Sequence, residues 1–351
     1  ETVGIQSLSE YSLQTGVDVS GAIGVMNIGS WISYAMKVQQ TSSDTLTYQC
    51  PKLVKRDSTR FFLEGKMEFV DSPTEWAYEP KSGEILFWAE DCEDPNNLEV
   101  YGKTDSFFLM GRANYLTYKN IEFFGLTFSL KRSINLRIDS CDFKYPVFSR
   151  RMLGETGADS TMWKNSQGLR FINNSVAYSD GQFIRHSRST DSTFENNYFH
   201  HMDYSCIGYE SGINYAGVVK LNDGDFFRHN TCHDTGPADM IRTMRGSTVE
   251  YNLLHDHYYL QHDGAVIQMA GNSDPAGITR FNWVYNSGKR GYRLDRANEE
   301  DAAYSKNGVV HGNLGWNTSA AFFKGDHHTI TNNIIWHPNP DKKGRPTEIS
   351  L

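Results

Sequence analysis

Short runs of apolar, β-branched and aromatic residues recur along the second half of the chain, and each closes on an asparagine. Arg170–Asn174, Phe194–Asn197, Phe227–Asn230, Val249–Asn252, Arg280–Asn282, Val310–Asn313 and Ile330–Asn333 share this shape. The closing residues, Asn174, Asn197, Asn230, Asn252, Asn282, Asn313 and Asn333, are spaced by 23, 33, 22, 30, 31 and 20 positions. Such a period, carried by strand-forming residues and a turn-capable amide, predicts stacked coils of strands.

An asparagine fixed at one place in every coil has a physical use. At a tight bend its amide satisfies the backbone of the bend and bonds to the asparagine of the next coil, ~4.8 Å away. After six of the seven, the third following position is His200, His233, His255, Tyr285, Trp316 or Trp336, which predicts a second, aromatic stack. Cys141 falls at the ladder position of an earlier coil and Cys206 within a strand, so both are expected as small buried side chains.

The first hundred residues read differently. Alternation in Gly24–Ile28, Arg60–Val70 and Glu84–Trp88 predicts antiparallel strands, with a hairpin turning at Pro80–Gly83 between Glu75–Tyr78 and Ile85–Trp88. This divides the chain into a strand-rich module over 1–100, coils over 101–337, and a tail over 338–351. The coils start with Ser106–Met110, Tyr115–Ser129 and Ile134–Phe148. The tail holds Pro338, Pro340 and Pro346 and supplies no obvious cap, so the chain is expected to continue beyond Leu351. The start at Glu1 has no initiator Met or signal peptide and reads as a mature or trimmed chain.

Composition narrows the partners. The 351 residues carry a formal net charge of −8, which argues against nucleic acid held by bulk electrostatics. No run of 18 apolar residues exists, so no membrane span is expected. Aromatics at 13 % and only 10 prolines indicate a folded, strand-rich body, expected as a monomer. None of the five cysteines forms a C-x-x-C pair, while Cys50 and Cys92 could form a disulfide.

Several segments together resemble the right-handed parallel β-helix proteins of the pectin-lyase-like superfamily. They are the hairpin Trp76–Tyr78 with Ile85–Trp88, and Asp263–Gln268, Gly291–Asp295, Gly308–Asn313 and Lys324–Asp326. The resemblance spans about residues 60–337 and extends to carbohydrate-active β-helix proteins of marine and environmental polysaccharide degraders. It implies an all-β solenoid with an N-terminal strand-rich module, a secreted or periplasmic location and an endo-fucanase-type activity.

Aligning the coils on their asparagines superposes Gln182–Arg185, Ser205–Gly208, Asp239–Arg242, Ala265–Gln268, Tyr292–Asp295 and Ala321–Lys324. Ile184, Ile207, Ile241, Ile267, Leu294 and Phe323 then point inward. Alternation turns out the column Arg185, Gly208, Arg242, Gln268, Asp295, Lys324, a polar stripe flanked by the longest loops. Glycoside hydrolysis needs a proton donor and a second carboxylate. Near the stripe stand Glu210, Asp263, Asp295 and Asp326. Cations around Asp295 suit it to a nucleophile or base, leaving the acid to Asp263 or Glu210. Asp263 could instead cap the turn at Gly264, and Asp295 could be a structural partner of Arg293 or Lys324. Arg185, Arg242, Arg245, Lys220, Arg293 and Lys324 on one face of an acidic chain suggest an anionic ligand, with Gln268, His262, Tyr209 and Tyr292 as further contacts.

His255 and His257 would share one side of a strand, but the aromatic stack explains such histidines without a metal. No cofactor is called for, with room left for a structural Ca²⁺. The leading expectation is an endo-acting glycoside hydrolase on an anionic, sulfated, fucan-like polysaccharide. The alternatives are a polysaccharide lyase, for which Lys220, Arg242, Arg245 and Tyr209 could serve, and a non-catalytic glycan-binding solenoid.

Overall fold

The computed structural model describes residues 2–6, 17–29, 32–42, 45–49, 60–79, 81–101, 106–149, 151–153, 161–203, 216–257, 260–261, 263–269, 274–295, 305–319 and 321–336. Three parallel sheets of nine strands each wind into a β-helix. Sheet one begins at Phe107–Gly111, sheet two at Thr117–Lys119 and sheet three at Glu122–Phe124, and the chain visits them in that order in every coil.

The asparagine ladder stands at the corner between sheets two and three. Asn174 Oδ1 accepts the Cys141 N–H at 2.9 Å, and the same bond recurs from Asn174 to Asn197, Asn197 to Asn230, Asn230 to Asn252, Asn252 to Asn282, Asn282 to Asn313 and Asn313 to Asn333. Each amide also donates to a carbonyl of the preceding coil, as Asn230 Nδ2 does to Phe194 O at 3.0 Å. The residue before each ladder asparagine turns left-handed, among them Asn173, Asn196, His229 and Tyr251. That reversal makes a two-residue corner, and the amide satisfies the backbone it leaves over.

Inside, stacked phenylalanines fill the coils, with Phe171, Phe199 and Phe227 about one coil apart at 6.1 and 6.0 Å. On the outer face of sheet three, His200, His233, His255, Tyr285 and Trp316 stack at 5.5, 4.8, 4.5 and 4.3 Å. This is the aromatic column read from the sequence, here followed to Trp316. Cys141 is buried at its ladder position. The pairing of Cys50 with Cys92 and the placement of Cys206 lie outside the described residues.

Upstream, five antiparallel strands pair in the order Thr2–Gln6, Thr45–Gln49, Ile32–Ser42, Ile23–Gly29, Phe61–Glu64. Period-two alternation gives this sheet two apolar faces. Met26, Tyr34, Met36 and Val38 close one core. Ile23, Val25 and Ala35 pack on Leu260 of the β-helix. Beside that contact Gln261 Nε2 donates to Ser33 Oγ at 3.2 Å, and Arg151 Nε binds Glu64 Oε1 at 2.7 Å. The hairpin is present as Trp76–Glu79 with Glu84–Phe87. Of the expected Arg60–Val70 strand only Phe61–Glu64 forms, because Gly65 at φ +81 ends it and Met67–Phe69 forms a 3-10 turn.

Candidate active site

The outward column of sheet one differs from the sequence alignment. Ile184 pairs with Val219, Val219 with Ile241 and Ile241 with Ile267, but Ile267 pairs with Tyr292 and Leu294 with Phe323. The column is therefore Met162, Arg185, Lys220, Arg242, Gln268, Arg293, Phe322. Arg293 and Phe322 occupy the places expected for Asp295 and Lys324, each a two-residue shift. Ile184, Ile241, Ile267, Leu294 and Phe323 are buried as expected. Ile207, Gly208, Tyr209, Glu210 and His262 lie outside the described residues.

Asp295 stands one residue past its strand, where its N–H donates to Met269 O at 2.8 Å. Its carboxylate binds Arg293 Nη2 at 2.7 Å and Lys324 Nζ at 3.5 Å. Arg293 Nη1 reaches Asp263 Oδ1 at 2.7 Å, so one guanidinium clamps both carboxylates. Asp263 Oδ1 also accepts the Gly264 N–H at 2.9 Å and therefore caps the turn. Burial would raise the Asp263 pKa, but Arg293, the Gly264 N–H and Lys289 together hold it below the ordinary carboxylate value. Asp326 pairs instead with His327 at 2.9 Å and Lys306 at 4.0 Å.

Tyr292 is a correction. Expected as a sugar contact, it is buried, and its hydroxyl donates to Asn282 O at 3.0 Å and Leu314 O at 2.9 Å. It points inward because it shares the parity of Leu294. Arg245 sits exposed in the turn after Asp239–Thr243. Gln268 is buried in the column, with Oε1 3.5 Å from Arg293 Nη1. His255 and His257 do not share a surface either. Asp256 is left-handed and breaks the alternation, so His257 is buried near Ser287 while His255 joins the aromatic column.

Asp239 was missed. It opens the strand Asp239–Thr243, is buried, and lies 3.3 Å from Arg242 Nη1. Burial pushes its carboxyl up to about 7, opposed by Arg242, the Ala265 N–H and Arg293. Gly264 is required beside it: at φ +111 a Cβ there would lie 2.0 Å from Ala238 O and 2.5 Å from Asp239 Oδ1. The available signal was an acid on the inward parity of Ile241, three residues before an outward arginine.

Arg185, Lys220 and Arg242 rise through three successive coils, at the ~4.8 Å spacing of paired strands. Burial lowers the Lys220 pKa, and the charges of Arg242 and Arg185 lower it further. Lys220 is thus an amine biased toward its neutral form between two permanent cations. Arg242→Ala should weaken an anionic oligosaccharide by about 10- to 100-fold. Added salt should then weaken wild type more than the variant, as read by titration at two ionic strengths. Equal salt dependence would remove Arg242 from the site.

A Ser–His–Asp set also occurs. His186 Nε2 is 2.9 Å from Ser192 Oγ and Nδ1 is 3.1 Å from Asp225 Oδ2. All three are buried, and burial drives Asp225 up to about 8 and His186 down to about 3. Asp225 also accepts the N–H groups of Ser192 and Asn222. The set knits the corner between sheets one and two and offers substrate no access.

No protein-family model and no curated protein matches the sequence. Among solved structures, the chain is similar to an alginate lyase from Paenibacillus sp. str. FPU-7, with 11 % identity, a TM-score of 0.38, and 68 % of this chain and 80 % of that chain covered. It is also similar to the catalytic domain of a GH87 α-1,3-glucanase, with 9 % identity, a TM-score of 0.37, and coverage of 100 % and 90 %. Likeness this distant carries no argument about chemistry, which must come from the residues above.

Proposed function

We propose that the protein is a polysaccharide lyase that cleaves an anionic, uronate-containing polymer on sheet one, with Lys220 as the base. The observation that carries this reading is the in-register column Arg185–Lys220–Arg242. A proton α to a carboxylate is hard to remove because the resulting charge adds to one already present. Guanidinium forks on the carboxylate offset that charge, and Arg242 is held in place by buried Asp239. Lys220 Nζ takes the C5 proton, the C–H electron pair forms the C4–C5 double bond, and the bond from C4 to the glycosidic oxygen breaks. The leaving oxygen takes a proton, which the newly formed ammonium of Lys220 can return.

The hydrolase reading rests on Asp263 and Asp295, which share the guanidinium of Arg293. Both are tied to that guanidinium, and the carboxyl that burial favours as an acid, Asp239, is closed off from solvent. The arginine forks suit sulfate or carboxylate, and elimination requires the carboxylate. Asp295→Asn separates the two chemistries. Its turnover on a polymer that wild type cleaves should stay within about 10-fold, whereas a loss of 10² or more, the scale of a missing acid, base or nucleophile, would favour hydrolysis.

A further inference from the structure

Eight of the sheet-three strands carry a left-handed residue just before or just after their last residue, and these residues stack in register as Gly125, Tyr145, Tyr178, His201, Asp234, Asp256, Asn286 and Asn317. Gly, Asp and Asn take this conformation at little cost, whereas for other side chains it costs ~1–2 kcal/mol. Yet three consecutive coils place Tyr145, Tyr178 and His201 there, at φ +54, +58 and +54. Tyr145 and Tyr178 stack at 5.2 Å, worth only ~0.5–1.5 kcal/mol, and remain 47 % and 43 % exposed. These rings wall a cleft of about 550 Å³ whose polar lining includes Arg151, Asp180 and Asp234.

We propose that this cleft is a second glycan site, on sheet three and separate from the sheet-one column, which binds a neutral sugar unit. The Tyr145 and Tyr178 rings offer an apolar wall to the C–H face of a pyranose, while carboxylates, His201 and Arg151 can meet its hydroxyls. The charge balance selects a neutral ligand. Arg151 is bound by both Glu64 and Asp180, and with Asp234 the carboxylates outnumber it, so the polyanion suited to Arg185, Lys220 and Arg242 would be repelled here. Strain held at three rings around one cleft is a reason to look for function at that place.

Affinity electrophoresis in gels cast with β-glucan, xylan, galactan or mannan tests the site. Tyr178→Asn is the informative variant, since Asn286 and Asn317 already occupy this corner in later coils and the fold should tolerate it. At least one neutral glycan should retard wild type and Lys220→Ala alike, and Tyr178→Asn should weaken that binding by 10-fold or more. Retardation by none of the four, equal retardation of Tyr178→Asn, or loss in Lys220→Ala would each overturn the proposal.

Discussion

Lys220→Ala is expected to lower turnover on an anionic polysaccharide by about 10²–10⁴-fold, the usual cost of removing a general base. Folding should be unaffected, because Lys220 projects from the outer face of its strand while Val219 fills the core. The pH profile should carry the same signature. The base works as the free amine, so activity rises with pH through the Lys220 pKa. Burial, Arg242 and Arg185 lower that pKa, which places the ascending limb below the range of an ordinary lysine. Arg185→Ala removes one repelling charge, raises the pKa, and should move the limb to higher pH. A limb that stays in place would show that Lys220 is not the titrating group.

Asn230→Ala should cost about 2–5 kcal/mol of stability, among the larger effects of a single polar substitution. Its Oδ1 accepts both the N–H and the side-chain Nδ2 of Asn197 at 2.9 Å, and its Nδ2 donates to Phe194 O at 3.0 Å and Asn252 Oδ1 at 3.1 Å. Alanine leaves the buried Asn197 N–H and Phe194 O without these partners and breaks the side-chain ladder to Asn252. Urea unfolding would show the change as a lower midpoint. A shift below about 0.5 kcal/mol, the range of ordinary surface substitutions, would mean the ladder is not what holds the corner.

The ladder was legible in the sequence because the corner has one solution. A left-handed residue recurs wherever the coil turns from sheet two to sheet three, and from Asn174 onward an inward asparagine amide follows it, so Asn marks those seven coils, with Cys141 at the place in the coil before. The candidate site was less legible. Arg185 and Arg293 each stand eleven positions after their ladder asparagine, yet alternation alone allowed Asp295 in that column, because a two-residue slip leaves every side chain on the same face. The cost was Arg293 read as a neighbour of the column; Tyr292 was read as a ligand contact although it shares the inward parity of Leu294. Lys220 was recognised as a cation of the right face, but its place between Arg185 and Arg242 needed the strand Ala216–Lys220, which follows a long insertion that the asparagine alignment could not bridge. Asp239 was hidden because a lone acid on an inward parity looks like an alignment error until its arginine is seen beside it.

The most direct test of the account is the product chemistry of the wild-type protein on a panel of uronate-containing and neutral or sulfated polysaccharides. Elimination makes a new reducing end and an unsaturated, ultraviolet-absorbing sugar at the same cut, in equal numbers. Both signals are expected on a uronate polymer, and both should fall by about 10²–10⁴-fold in Lys220→Ala. New reducing ends without the chromophore would contradict it and return the chemistry to Asp263 and Asp295.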